Sequence, residues 1–513
     1  MNQQIAPLPR DVSIAVIGAG TMGSGIALVA ASAGHSVLLY DAAPGAAAAG
    51  CQRQRADLEK LVARGRLTAE ECEDRLARLQ PVEGLPALAS AGLVIEAIVE
   101  NLNIKVDVLR QVEEITGAQT ILATNTSSLS VTALSSRLRR PGRVVGMHFF
   151  NPAPLMPLVE VISGRLTETV VAQTIFATAQ GWGKTPVHCT SSPGFIVNRV
   201  ARPFYGEALR LLSERAASPA TLDAIMRETG GFRMGPFAVM DLIGHDVNFA
   251  VTRSVYDAMS QDARYKPSLV QEELVNAGLL GRKSGRGFYD YAKDASQAVP
   301  VDAPAGPRPG QIVVEGDLGP AAALVQQARD AGIGVIARDG AGVIRLDGTI
   351  LTLTDGRTAT ECMASDGSPI VLFDLALDYA AAPRMAIARA DRADEAALAQ
   401  VAGFFQALGK TVSVIDDAPG LVVMRTVAML ANEAADVVHQ GVASAVDVDV
   451  SMLKGVGYPR GPLAWADAVG PGYIVNVIDA LARAYGEDRY RNSPLLRRRA
   501  LSRLPFHQLT SAQ

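Results

Sequence analysis

The chain has 513 residues, 49% of them hydrophobic and 19% charged, and a formal net charge of −4 at neutral pH. That composition can fill several cores without metals or disulfides, and the charge excludes a general nucleic-acid binder. Cys51, Cys72, Cys189 and Cys362 are widely scattered and form no metal-binding spacing, the N-terminus has no apolar signal core, and no apolar run is long enough to cross a bilayer. A cytoplasmic protein without metal or membrane span is expected.

The first predicted element is a strand at residues 13–17, short and β-branched as buried parallel strands are. It opens into GAGTMG, with Gly18, Gly20 and Gly23 in G-x-G-x-x-G spacing, and the apolar stretch beyond it predicts a helix closing at Gly34. Residues 35–40 predict a second strand, with Asp41 at its end. Gly18 allows the tight turn, Gly20 lets a pyrophosphate reach the backbone, and Gly23 lets helix and strand pack closely. The free N–H groups at the helix start favour phosphates. Asp41 would accept hydrogen bonds from ribose hydroxyls and repel a 2′-phosphate, which favours NAD over NADP. The glycine motif alone also admits FAD.

Residues 45–80 predict two polar helices, where Arg53, Arg55, Lys60, Arg64 and Arg66 stand among Asp57, Glu59, Glu70 and Glu71. The cluster reads either as a solvated face with paired charges or as a cradle for the phosphates of coenzyme A. Next in the chain are a strand at 92–100, a helix from Leu102, a strand at 121–123 opening into TNTSSLS and a strand at 144–150. The TNTSSLS segment lies where the fourth strand of a doubly wound sheet ends, and ligands bind at such ends.

The stretches VIGAGTMGSGIA, VIEAIVENLNIK, ATNTSSLS, GMHFFNPAPLMPLVEV, GKTPVHCTSSPGFIVNR, GGFRMGPFAVMDLIG and GRKSGRGFYDY resemble the L-3-hydroxyacyl-CoA dehydrogenases almost continuously over residues 12–291. The resemblance implies NAD-dependent oxidation of an L-3-hydroxyacyl-CoA to the 3-oxoacyl-CoA. It also implies a doubly wound, Rossmann-type α/β domain (1–190) followed by an α-helical domain (191–295). It places the catalytic histidine at His148, its paired glutamate at Glu160, an asparagine at Asn198 and a serine at Ser127. Ser127 and Asn151 would meet substrate, Arg53 and Lys60 would meet coenzyme A, and Thr21, Met22, Asp41, Glu100, Lys105 and Asn125 would join the glycines around NAD.

The residue types suit the chemistry. An imidazole can take the hydroxyl proton near neutral pH, and a carboxylate can orient the ring and stabilise the imidazolium. Ser127 and Asn198 can hydrogen-bond the oxygen as it turns from hydroxyl to carbonyl. Without the resemblance, His148 reads first as a core histidine, and Glu160 and Asn198 as salt-bridge or capping residues. MDLIGHDVNFAV, KPSLVQEELVNAGLLGRKSG and the total length bear a closer resemblance to the branch that oxidises 3-hydroxyadipyl-CoA in phenylacetate breakdown. The rival readings are a 3-hydroxybutyryl-CoA or general short-chain enzyme, a free β-hydroxyacid dehydrogenase whose lysine-based site is not matched, and a non-catalytic nucleotide-binding scaffold.

Residues 296–311 read as a Pro/Ala/Gly-rich linker. Beyond the linker the chain repeats itself in degenerate form, with a Rossmann-like domain at 312–417 and a second helical domain at 418–513. The GKT of 183–185 returns at 409–411, and Pro193, Glu207, Gly235 and Asp241 return as Pro419, Glu433, Gly461 and Asp467, all at an offset of 226. Residues 312–339 align with 14–41 at an offset of 298, so a segment after the second strand is missing, and its loss is expected to remove the basic helical pair. Gly20 becomes Leu318 and Gly23 becomes Ala321; His148 becomes Asp374, Glu160 Ala386, Asn198 Met424, Ser127 Leu353 and Asn151 Leu377. The second half is therefore expected to be a structural partner, making an intrachain pseudo-dimer of helical domains, with a homo-oligomer also open.

Overall fold

In the computed structural model, which describes residues 5–507, β1 (Ile14–Ile17) has all four side chains buried, as a strand covered on both faces must. It leads through α1 (Thr21–Ser32) to β2 (Val37–Tyr40), then to α2 (Ala46–Ala63) and α3 (Ala69–Ala77). A capping box between Thr68 and Glu71 opens α3. β3 (Leu79–Val82) departs from the reading of this region as helices alone. Pro81 argues against a strand, but β3 lies at the sheet edge, where a missing N–H is tolerated.

β4 (Leu93–Glu96) stops short of the strand suggested for 92–100, because the Glu96 carboxylate turns back to accept from Ile98 N–H at 2.7 Å. Asn101 then caps α4 (Leu102–Ile115). β5 (Ile121–Thr124), β6 (Val144–Phe149), β7 (Leu158–Ser163) and β8 (Thr185–Thr190) complete, among the described residues, an eight-stranded sheet in the order β3-β2-β1-β4-β5-β6-β7-β8. Its antiparallel neighbours are β6 and β7, whose register sets His148 opposite Glu160.

The chain forms two compact units: residues up to Arg199 together with Gly441–Val456, and Val200–Gln440 together with the residues from Gly457. In the first, the helix Ala445–Gly455 packs on β7 and β8, and Thr190 N–H donates to the Val442 carbonyl at 2.9 Å.

The second unit holds β9 (Gln311–Glu315), β10 (Gly334–Arg338), β11 (Val343–Leu346), β12 (Thr349–Leu353), β13 (Ile370–Phe373), β14 (Arg384–Arg389) and β15 (Thr411–Val414). Their order is β10-β9-β11-β12-β13-β14-β15. β11 takes the sheet position of β4 but runs antiparallel to both neighbours. It joins β12 through Asp347 and Gly348, both at positive φ, the backbone of a tight hairpin. The missing segment therefore includes β3 and the α4 crossover as well as the helical pair. The helix Pro219–Glu228, 226 residues before its counterpart on β7 and β8, packs on β14.

Within this unit the two helical repeats meet around buried charges. Glu207 receives Arg425 Nε (3.0 Å) and the Tyr490 hydroxyl (3.0 Å); Glu433 receives Arg264 Nη1 (3.2 Å) and the Tyr265 hydroxyl (2.6 Å). Each carboxylate thus takes these two donors from the other half. Skeletal contacts repeat as well. Lys184 Nζ donates to Ala153 and Met156 carbonyls (2.6 and 2.9 Å), and Lys410 Nζ to Tyr379 and Ala382 carbonyls (2.6 and 2.8 Å), the same positions shifted by 226. The architecture is a Rossmann-type α/β domain and a helical domain followed by reduced repeats. No helix among the described residues is long and apolar enough to cross a membrane.

Candidate active site

The three glycines after β1 do different work. A Cβ at Gly18, which has φ +99°, would stand 2.5 Å from Ala97 O, and one at Gly23 would stand 1.7 Å from Gly18 O. Both are demanded by the fold. A Cβ at Gly20 would meet nothing within 4 Å, and α1 starts there without a side-chain cap. Open space therefore faces a helix N-terminus, which suits a pyrophosphate. Asp41 accepts from Ala19 N–H (2.7 Å) and Ala43 N–H (2.9 Å), so its carboxylate is fixed against the turn with lone pairs left for ribose hydroxyls. The residues present fit a dinucleotide. Thr21 is exposed and Met22 half-buried in the first turn of α1. Arg53 lays its guanidinium on the Ala19 carbonyl. Lys60, two turns further along α2, stays on the solvated face and pairs with Asp57 at 2.8 Å.

At the ends of β4 and β5 a charged network fixes the serine loop. Lys105 Nζ lies 2.7 Å from Glu96 and 3.2 Å from Glu100. Glu96 also accepts from the Thr124 hydroxyl at 2.7 Å. Glu100 accepts from the Thr126 hydroxyl (2.6 Å) and from Ser127 and Ser128 N–H (2.9 and 3.0 Å). Burial pushes the Glu100 carboxyl up, but Lys105 and these hydrogen bonds outweigh it and hold it below its ordinary value. Glu96 is a member the sequence reading missed; its signal was an acid inside the apolar run VIEAIV. Asn125 Oδ1 accepts from Phe149 N–H at 2.8 Å, and Asn198 Nδ2 donates to the Ser127 carbonyl at 3.4 Å.

The β6–β7 register brings His148 Nδ1 to 2.6 Å from Glu160 Oε2, with His148 5% and Glu160 0% exposed. An ionised carboxylate only accepts, so Nδ1 carries the hydrogen and Nε2 of the neutral ring keeps its lone pair. Glu160 Oε1 accepts from Ile196 and Val197 N–H (3.1 and 2.9 Å). The Phe150 and Phe195 rings flank the imidazole at 4.6 and 5.9 Å between centroids. Asn151 is exposed on the loop that Lys184 ties down and is not part of this hydrogen-bonded cluster. A lone pair backed by a buried carboxylate, on the same sheet as a dinucleotide cradle, can take the proton of an alcohol being oxidised.

The equivalent place in the second half has no imidazole. Asp374 there accepts from Val422, Val423 and Met424 N–H at 2.9, 2.7 and 2.9 Å. Its full burial outweighs these bonds and pushes its carboxyl up to about 6.

Residues 13–192 match the family profile described as 3-hydroxyacyl-CoA dehydrogenase, NAD binding domain. The profile of the same family's C-terminal domain matches twice, at 194–291 and 420–504. The chain belongs to the 3-hydroxyacyl-CoA dehydrogenase family. Residues 351–419 match a reduced Rossmann-fold domain of 3-hydroxybutyryl-CoA dehydrogenase. A 3-hydroxyadipyl-CoA dehydrogenase of Escherichia coli (strain K12) is 45% identical over 489 residues, 95% of this chain and 97% of that one. A 3-hydroxybutyryl-CoA dehydrogenase of Clostridioides difficile is 42% identical over 282 residues, 55% of this chain and 100% of that one. The crystal structure of a 3-hydroxybutyryl-CoA dehydrogenase from Escherichia coli K12 superposes with a TM-score of 0.88 at 44% identity, covering 96% of this chain and 99% of that one. This family member is an NAD-dependent 3-hydroxyacyl-CoA dehydrogenase.

Proposed function

We propose that the enzyme oxidises 3-hydroxyadipyl-CoA to the 3-oxo product in phenylacetate breakdown, with His148 as base and one working site per chain. The His148–Glu160 pair, short and buried, carries the catalytic reading. NAD, when bound, supplies the acceptor for the hydrogen leaving C3. His148 Nε2 takes the hydroxyl proton as that C–H bond breaks, and Glu160 stabilises the resulting imidazolium. Ser127 and Asn198 hydrogen-bond the substrate oxygen, and Asn151 meets the acyl portion. Gly18, Gly20 and Gly23, with Thr21 and Met22, seat the pyrophosphate, Asp41 takes the adenosine ribose, and Asn125 stands toward the nicotinamide end. Arg53 reaches coenzyme A from the glycine turn. The four free cysteines suit a reducing cytoplasm.

The choice of acyl group rests on similarity over nearly the whole length to the Escherichia coli protein named for 3-hydroxyadipyl-CoA. A four-carbon substrate is the second reading, supported by the relatives named for 3-hydroxybutyryl-CoA. Initial rates with both thioesters decide. A kcat/KM at least about tenfold higher on the six-carbon dicarboxylic substrate, a difference of about 1.4 kcal/mol, is expected, and an equal or better rate on 3-hydroxybutyryl-CoA overturns the preference. His148→Gln should lower kcat at least about a hundredfold while NADH still binds; near-normal turnover removes His148 as the base.

A further inference from the structure

The serine loop hangs on a line of buried charge that the proton transfer to His148 does not use. Lys105 of α4 is 1% exposed. Its ammonium donates to Glu96 Oε1 at 2.7 Å and the Ile98 carbonyl at 3.4 Å, and meets Glu100 Oε2 at 3.2 Å. Glu96 is 0% exposed and is itself held by Ile98 N–H and the Thr124 hydroxyl, both at 2.7 Å, so the cation is anchored to the ends of β4 and β5.

Glu100 turns its other oxygen, Oε1, to the loop. It accepts there from the Thr126 hydroxyl (2.6 Å), Ser127 N–H (2.9 Å), Ser128 N–H (3.0 Å), the Ser128 hydroxyl (2.9 Å) and the Ser127 hydroxyl (3.4 Å). Asn198 holds the carbonyl side of the same serine. The Glu100 side chain is 35% exposed. Without the cation it would face the buried charge of Glu96 and could relieve that repulsion by swinging toward water. The loop would then lose its acceptor.

We propose that Lys105 is a positioning residue for the alcohol oxidation: through Glu100 it fixes the Thr126–Ser128 loop and so sets where the Ser127 hydroxyl stands. The proposal rests on the reading of Ser127 as a contact to the substrate oxygen. A direct cofactor contact at Lys105, which the family resemblance implies, makes the opposite forecast.

The test is a double-mutant cycle in the full-length enzyme: Lys105→Met, Ser127→Ala and their combination, assayed by steady-state oxidation of 3-hydroxybutyryl-CoA and by NADH fluorescence titration. Each single change should lower kcat at least about tenfold, and the combination should fall no more than about twofold below the worse single, because both cut one line of action. The NADH dissociation constant should stay within about twofold throughout. Glu100→Gln, which cuts the same line from the loop side, gives the same cycle with Ser127→Ala should Lys105→Met fail to fold. Additive rate losses would make Lys105 a merely structural residue and overturn the inference alone. An NADH dissociation constant raised about tenfold, with kcat at saturating NAD preserved, would make it a cofactor contact. Normal turnover of Ser127→Ala would remove the Ser127 reading itself, and this inference with it.

Discussion

Positions 148 and 374 end corresponding strands of the two repeats, yet one carries an imidazole and the other a carboxylate. In the first half Glu160, on the adjacent strand, accepts the N–H groups of Ile196 and Val197. In the second half that strand offers Ala386, and Asp374 accepts Val422 and Val423, the same two positions 226 residues later. These are buried donors, and leaving them without an acceptor costs about 1–3 kcal/mol each. Either strand can supply the carboxylate. Supplying it from β7 leaves the end of β6 free for a histidine and gives that histidine a buried partner. Glu160 therefore has a task on each oxygen: Oε1 completes the fold and Oε2 serves His148.

Transplanting the second half's solution into the first breaks or sharpens this comparison most directly. His148→Asp combined with Glu160→Ala should lower kcat at least about a hundredfold. It should nevertheless melt within about 4 °C of the parent, a shift of about 1 kcal/mol. Scanning calorimetry beside Glu160→Ala alone, which leaves the donors bare, reads the difference; equal melting of the two variants would show that the carboxylates are not interchangeable.

The cofactor cradle can be crossed the same way. Gly20→Leu copies Leu318 into a place where a side chain meets no protein atom. The fold should lose less than about 1 kcal/mol, while the NADH dissociation constant rises at least about a hundredfold. An unchanged titration would move the pyrophosphate away from this turn.

The smallest effect concerns Asp374. Burial raises its carboxyl to about 6, so the folded state favours the protonated form. Its contribution to stability is fully present below about pH 4 and is lost as pH rises through about 6. The unfolding free energy of the parent minus that of Asp374→Ala should therefore shrink by about 2–3 kcal/mol between pH 4 and 7. Denaturant titrations across that range check it, and a flat difference would mean that the carboxyl titrates alike in both states.

What could be read from the sequence was what is local along it. The turn after β1 and the serine loop each declare themselves within a few neighbouring positions. The His148–Glu160 contact depends on an antiparallel pairing that hydrophobic pattern does not announce, and only the family resemblance joined the two residues. Glu96 lay inside the strand read over 92–100 and drew no separate reading. Its partner Thr124 lies 28 residues away, so the network has no local signature. Pro81 hid β3, because an edge position cannot be known before the sheet is assembled. Offsets exposed the repeated skeleton, but the β11–β12 hairpin has no counterpart in the first half to align with. Likewise, histidine replaced by aspartate at 374 reads as chemistry lost, while burial shows an acceptor gained.

Glu433 takes its cation from Arg264, 169 residues away, and Glu207 takes its own from Arg425, 218 residues away, on one continuous backbone. Between separate molecules such pairing would obey mass action and weaken on dilution. A tether makes the encounter intramolecular, at an effective concentration set by the chain and not by the cell. The association of the helical repeats is thus insulated from expression level, and each half is always present at a fixed ratio to its partner.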